Sequence, residues 1–577
     1  MNASRTSGGG YGFFAGPRNA LAIIILLSTA APAQSQQMNA KLSFPPKLQA
    51  ILEYISHAWS DLTRSSSDCH AVTDPKLAEA TVHYLPNDLA IPPALETASR
   101  ECKLRVEHLP FVIHGPGEVG KDHEVIEPPG LLYLENPYVV PGGRFNEMYG
   151  WDSYFIIRGL LRDGKLDLAR GMVDNFFFEI QHYGAVLNAN RTYYLTRSQP
   201  PFLTSMIMAV YAAEKEQGSA DRVWLERAYH YANRDYEMWM HSPHLAGDTG
   251  LSRYFDFGEG PVPEGLHDEV AYYHHVLAYF LKHGDSSYVM KADKASRLLH
   301  SRYSVELCED GSNHCEKTRH VALSPEYYKG DRSMRESGFD ISFRFGPYGA
   351  DTHHFAPVCL NSLLYKTETD MAQISQWLGD RRLASMWQAR ADKRRKLIQS
   401  LLWNAQRGLF FDYDFKQRNQ SSYVYATTFY PLWAGLATAG EARAVRNNLS
   451  LFEQAGGLAM STKATGVQWD YPYGWAPTQI IAIEGLRRYG FNDEANRISY
   501  NFLSTIAENF RRDGTIREKY NVVTRSSESG VHAGYQQNVI GFGWTNAAFL
   551  VFLHELPKDM VGRLAREQTG TASAATK

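Results

Sequence analysis

The sequence predicts an all-α fold, a closed toroid of six helical hairpins of the (α/α)6 barrel type, preceded by an irregular N-terminal extension. Three observations predict it. From about residue 155 onward, apolar residues recur at three- and four-residue spacing, the period of an amphipathic helix. Successive helical segments are joined alternately by short turns and longer loops. The longer loops (139–154, 186–201, 251–266, 330–350, 461–476 and 511–540) hold the polar and aromatic residues, and six such loops at one end of a ring line a central pocket. Helical periodicity alone also fits an α-solenoid, but no repeated sequence unit favours one.

The elements follow in chain order. Residues 1–33 read as a secretory signal, with basic Arg5 and Arg18, the short apolar run Ala20–Leu27, and Ala31-Pro32-Ala33 as the cleavage site. An uncleaved anchor is the alternative, although the run is short for a bilayer. The expectation is an exported protein, periplasmic or secreted. Residues 34–130 are mixed and Pro-punctuated, an extension packed on the barrel. Residues 131–560 form the (α/α)6 domain. Helices are expected at 155–163, 166–181, 202–216, 221–240, 267–284, 287–300, 360–378, 381–402, 427–437, 440–455, 476–488, 491–508 and 541–555. Leu360, Leu363, Leu364, Met371, Ile374 and Leu378 show the helical spacing well. Residues 561–577 are polar and Ala/Thr/Ser-rich, which reads as a disordered tail.

A formal net charge of −3 over 577 residues gives no basic footprint for nucleic acid. Aromatics make up 13%, including 34 Tyr and 11 Trp, which suits sugar stacking and a large aromatic core equally. Of the five cysteines, Cys69 can pair with Cys102 and Cys308 with Cys315, which leaves Cys359 as a buried thiol in an apolar stretch. The spacing suggests no metal site. His353 and His354 are neighbours whose side chains diverge on a regular helix or strand, so a solvated or hydrogen-bonded surface role is expected.

The chemistry concentrates in Pro141-Gly-Gly-Arg-Phe-Asn-Glu-Met-Tyr-Gly-Trp-Asp-Ser-Tyr154. Carboxylates and guanidinium groups bind hydroxyl edges through charge-assisted hydrogen bonds, and Trp and Tyr rings cover apolar C–H faces. That mixture is a carbohydrate site. A second Trp-Asp pair recurs in Gln468-Trp-Asp-Tyr-Pro-Tyr-Gly-Trp-Ala-Pro477. Gly142 and Gly143 are expected to allow an unusual backbone conformation.

These two segments resemble, without a mismatch, the two signature patterns of the α,α-trehalases, glycoside hydrolase family 37. Asn188–Pro201, Glu336-Ser-Gly-Phe-Asp340, Glu518-Lys-Tyr-Asn521 and Gly541–Asn546 resemble further family segments in family order, so the resemblance covers roughly residues 130–556. It implies an (α/α)6 barrel that hydrolyses trehalose with inversion, with Asp340 as general acid and Glu518 as general base. It places Arg144, Trp151, Asp152, Asn188, Arg197, Ser198, Gln199, Glu264 and Gly338 at substrate-binding positions. It implies no metal and no organic cofactor. The expected partner is the disaccharide alone, with no nucleic acid, no membrane after signal cleavage, and a monomeric state. Around Asp340, the apolar neighbours Phe339, Ile341 and Phe343 are expected to desolvate the carboxyl. Around Glu518, Arg517 and Lys519 are expected to favour the ionised form.

Three departures stand out. Val262, in Pro261-Val-Pro-Glu-Gly-Leu266, replaces an arginine that contacts substrate in the family. Gly530-Val-His-Ala-Gly-Tyr-Gln-Gln537 lacks the family's substrate-contacting glutamate, and Phe339 stands where Trp is usual. The alternatives are therefore an inverting hydrolase of another α-glucoside, or a sugar-binding protein with little catalysis.

Overall fold

The computed structural model describes residues 44–69, 82–119, 126–262, 269–292, 303–308, 318–531 and 538–567. The signal region, Glu264, Cys315 and the segment 532–537 lie outside them.

Among the described residues there are sixteen α-helices. Two precede the ring, α1 (Gln49–Asp61) and α2 (Pro93–Cys102). The ring itself is built from hairpins: α3 (Gly150–Arg162) with α4 (Leu166–His182), and α5 (Leu203–Gln217) with α6 (Arg222–Trp239). Then come α7 (Glu269–His283) and α8 (Pro325–Glu336). They are followed by α9 (Val358–Trp377) with α10 (Arg381–Leu401), and α11 (Tyr430–Ala434) with α12 (Ala439–Asn447). The last are α13 (Ala476–Arg488) with α14 (Asn492–Asp513), then α15 (Gly543–Glu555), followed by α16 (Lys558–Glu567), which packs on α14.

Six helices form a closed inner ring, because α3 packs on α5, α5 on α9, α9 on α11, α11 on α13, α13 on α15, and α15 back on α3. The sequence explains which helices are inside. Every residue of Gly543–Leu553 is buried, as an inner helix touched on all sides requires. Outer helices keep a polar face: α10 buries only Ala384, Trp387, Ala391, Arg394 and Ile398. The sixth outer position belongs to α1, which packs on α15 and buries Trp59 completely. The fold is thus the expected (α/α)6 barrel with an irregular extension before it. That extension also holds a three-stranded parallel sheet of 82–85, 105–108 and 130–132.

The expected helices 155–163 and 427–437 differ in length, the first starting at Gly150 and the second reduced to a 3-10 turn and Tyr430–Ala434. Three expectations change more. Of the helix expected at 287–300, residues 293–300 lie outside the described residues, and the described part is instead a 3-10 turn running into strand 289–291, in an antiparallel sheet with 305–308 and 318–323. Together with α7 and α8, this sheet surrounds a separate apolar cluster that includes Tyr273, Tyr327 and Met334. The helix expected at 440–455 stops at Asn447, followed by a hairpin of 453–454 with 457–458. Within the disordered tail expected at 561–577, residues 561–567 are helical instead, because α16 runs to Glu567 and buries Val561, Leu564 and Ala565, and the rest lies outside the described residues. Cys69 and Cys102 are bonded with a Cα separation of 5.4 Å, Cys308 is also disulfide-bonded, and Cys359 is a buried thiol. No helix among the described residues is long and apolar enough to cross a membrane.

Candidate functional site

A cavity of about 70 Å³ opens among the longer loops. Each wall is traceable to a sequence segment. The first is the start of α3. Its Trp151 N–H, one of the donors a helix N-terminus leaves unpaired, reaches Gln199 Oε1 at 2.8 Å. Gly150 N–H donates to the Asn188 carbonyl and Asn188 N–H to the Arg197 carbonyl, so the segments 150–152, 188 and 197–199 form one unit. Asp256, fully buried, lies 3.9 Å from Arg197 Nη1.

The second wall carries Asp340. It follows α8 and the turn at Gly338, whose φ is +75° and where a Cβ would lie 2.8 Å from Trp151, so only glycine fits. Glu336, fully buried, accepts from Phe255 N–H at 2.6 Å and Ser198 N–H at 3.3 Å, tying this loop to the first wall. The second Trp-Asp segment braces it from outside. Gln468 Nε2 donates to the Asp340 carbonyl, Trp469 N–H donates to the Ile341 carbonyl at 3.1 Å, and Asp470 accepts from Ser342, Phe343 N–H and Thr465. Burial raises the Asp470 carboxyl above its usual range, and these hydrogen bonds oppose the rise.

The third wall carries Glu518, next to a strand (Lys519–Asn521) paired with Tyr473–Trp475. Its carbonyl accepts from Trp544 Nε1 at 3.1 Å and Thr545 Oγ1 at 3.3 Å. Lys519 Nζ, fully buried, donates to Glu518 Oε2 at 2.7 Å.

Of the residues singled out in the sequence, Trp151, Asp152, Asn188, Arg197, Gln199, Gly338, Asp340 and Glu518 line the cavity. Burial holds the Asp152 carboxyl well above the ordinary range, and Glu518 and Asp340 push it the same way. Three carboxyl groups from segments far apart in the chain therefore share one site. Two expected residues do not line it. Ser198 donates its hydroxyl to the Val186 carbonyl at 2.6 Å, and Arg144, partly exposed, lies 5.2 Å from the Phe145 ring centroid. Glu264 lies outside the described residues.

Several local expectations also change. Phe339 and Ile341 are each buried in a different apolar cluster. The Asp340 carboxyl stays 22% exposed, with Arg335 Nη1 4.0 Å from Oδ2. Beside Glu518, Lys519 makes the expected contact, whereas Arg517 turns to Asn538 and Asp513. Neither Gly142 nor Gly143 has a positive φ; Gly142 is needed instead because Val539 approaches to 2.8 Å of its Cβ position. Trp151 both lines the cavity and packs edge-on against Phe155, Phe339 and Trp544.

The sequence reading missed Arg335, Gln468 and Trp544 as cavity residues. Gln468 and Trp544 lie inside recognised segments. Arg335 lies directly before one, on the buried face of α8, and helical spacing from Asp331 was its only signal. The pair His353 and His354, expected at the surface, is buried. Adjacent side chains diverge on regular elements, but these sit on a 3-10 turn entering a strand, and both rings fold onto Glu326. That group offers potential metal ligands where none was expected, and none of its members lines the cavity.

A toroid with an acidic, aromatic-walled cavity among its loops has the layout of an (α/α)6 carbohydrate site. The chain belongs to the trehalase family, whose model matches residues 27–557. It is 39% identical over 498 residues to a cytosolic neutral trehalase of Saccharomyces cerevisiae, covering 78% of this chain and 62% of that protein. It is 37% identical over 500 residues to a cytosolic neutral trehalase of Neurospora crassa, covering 78% and 64%. The chain thus spans less than two thirds of the length of these relatives. A solved neutral trehalase of Saccharomyces cerevisiae superposes with a TM-score of 0.73 at 35% identity, covering 91% of this chain and 96% of that one. The relatives are named cytosolic, which overturns the expectation of a periplasmic or secreted protein. The apolar run behind that expectation is only eight residues long, and the family match begins at its last residue.

Proposed function

We propose that the chain is an inverting glycoside hydrolase that cleaves α,α-trehalose into two glucose molecules as a monomer, with Asp340 as general acid and Glu518 as general base. The observation that carries this reading is the meeting of Asp340, Glu518 and Asp152 in one cavity. Inversion needs an acid at the glycosidic oxygen and a carboxylate that activates water on the opposite ring face. Lys519 Nζ donates to Glu518 Oε2, which fixes the direction of the carboxylate that would take the water proton. Asp152, held toward its neutral form, offers a hydroxyl donor to the sugar rather than a third charge. The walls bear Trp151, Trp469 and Trp544 for the C–H faces, and Arg197 and Gln199 for hydroxyls.

Val262 favours a second reading, another α-glucoside as substrate, because it removes a guanidinium from its loop. Arg335 argues for trehalose. Segment 260–262 packs on α8 through Arg332, whose Nη1 donates to the Pro261 carbonyl at 3.0 Å, and that same helix sends Arg335 into the cavity.

The test is glucose release from trehalose, with maltose, kojibiose and nigerose in parallel. Asp340→Asn and Glu518→Gln are each expected to lower turnover by about 10²–10⁴-fold with the melting temperature retained. Rapid NMR should show β-glucose among the fresh products; α-glucose alone refutes inversion. Turnover of a different disaccharide only would transfer the reading to that sugar.

A further inference from the structure

Away from the cavity, three side chains from two elements converge on one point. Glu326, in the first turn of α8, presents Oε1 2.8 Å from His354 Nε2 and 3.2 Å from His353 Nε2. All three donor atoms lie within 4.8 Å of one another. His353 and His354 are 4% and 8% exposed, and neither Nε2 makes a hydrogen bond, because the angles to the carboxylate are wrong for one. Two imidazole nitrogens thus face a carboxylate oxygen at close range without sharing a proton with it.

We propose that Glu326, His353 and His354 form a divalent transition-metal site, suited to Zn²⁺, that fastens the N-terminus of α8 to the turn at 352–354. Two imidazoles and a carboxylate are a borderline-soft donor set of the kind zinc takes. With metal–ligand bonds of about 2.0–2.1 Å, a tetrahedral site has ligand–ligand edges of about 3.3 Å. The observed 2.8 and 3.2 Å need only small outward movements to match. The surroundings also suit a ligand. Asp351 Oδ1 lies 3.4 Å from His354 Nδ1 and itself accepts from Tyr288 Oη, which orients the ring and leaves Nε2 as the donor.

One protein cation competes for the carboxylate. Lys416 Nζ lies 3.1 Å from Glu326 Oε1, but its side chain is 51% exposed and can swing into solvent. Glu326 is itself 46% exposed, which gives an ion a way in. Displacement of Lys416 separates this site from the ordinary affinity of surface histidines for zinc: a variant without the lysine must bind more tightly.

The experiment uses the untagged full chain, stripped with EDTA and titrated with ZnCl₂ by calorimetry and by melting. Expected are one strong site per chain and a rise in melting temperature of several degrees. Glu326→Gln and His354→Gln should each weaken binding at least tenfold, and Lys416→Gln should strengthen it several-fold. Asp351→Asn should weaken it about tenfold through the orientation of His354. Co²⁺ in place of Zn²⁺ should give the intense visible bands of four-coordination in the wild type and lose them in His354→Gln. The proposal is overturned if the wild type shows no strong site, if His354→Gln and Glu326→Gln bind as tightly as the wild type, or if Lys416→Gln leaves affinity unchanged. Melting of each variant in EDTA confirms that it is folded. A variant that does not fold is replaced in the comparison by Lys416→Gln and Asp351→Asn, which leave the three ligands in place.

Discussion

Asp235 shows how a single buried carboxyl sets a pH dependence in this molecule. It lies in α6, closed off from solvent, and burial pushes its pKa up to about 7 from an ordinary value of 3.8. Between those values the unfolded chain has lost the proton and the folded chain has kept it. Folding then takes up a proton, and stability falls as pH rises from about 3.8 to about 7. Asp235→Asn removes that slope. It is expected to be about 2–4 kcal/mol more stable than the wild type at pH 8 and nearly equal to it at pH 4. Urea unfolding at the two pH values measures the difference, and an equal gain at both would contradict the cause given. At this scale the sequence was a partial guide. Asp340 and Glu518 were legible because each sits in an unusual run of residues. The surroundings of Asp340 were not, because its chain neighbours Phe339 and Ile341 belong to different apolar clusters, and a cation 4.0 Å from its carboxyl, Arg335, comes from α8.

Among the elements, the braces behind the cavity carry as much consequence as its lining. Asp470 gathers the Ser342 hydroxyl, Phe343 N–H and the Thr465 hydroxyl, and so fixes the loop that follows Asp340. Asp470→Ala leaves three donors in a dry setting without their acceptor. A stability loss of about 2–4 kcal/mol is expected, with turnover reduced further than Asp470→Asn reduces it; denaturant curves and trehalose kinetics on both variants check this. Helix periodicity located most ring helices within a few residues, since an inner or outer face repeats at 3.6 residues whatever its partner. It failed at 287–292, where a short strand carries no helical periodicity and its partner at 318–323 lies far ahead in the chain. It failed at His353-His354 for a related reason: a single 3-10 turn has no face to read.

Among the described residues from 44 onward, the helical ring is closed by its first and last inner helices. Helix α15 meets α3, and Gly543 N–H donates to the Pro141 carbonyl at 2.7 Å, which joins the last recognised segment to the first. Helix α1 covers the seam from outside, with Tyr54 Oη 2.7 Å from Thr515 Oγ1 and Val140 N–H on the Leu62 carbonyl at 2.9 Å. The N-terminal extension was legible as irregular, but its role in the seam was not, because nothing in residues 49–61 names the helix they cover. Deletion of residues 44–62 is therefore expected to cost more than the deleted segment's own contacts. It strips the outer face of α15 and uncovers apolar surface around Gly159 and Ala547. Broadened, non-cooperative thermal unfolding with dye-accessible apolar surface is the expected outcome; a sharp transition close to that of the full chain would show that the seam holds alone.

This closure also sets an order of events during synthesis. A ribosome that has delivered the chain only as far as α14 has made neither Glu518 nor Trp544, and the early segment at 141–152 still lacks the neighbours that enclose it. The nascent polypeptide can stack its first hairpins as they emerge, yet the cavity walls are complete only once the segment from Glu518 to Trp544 has joined them.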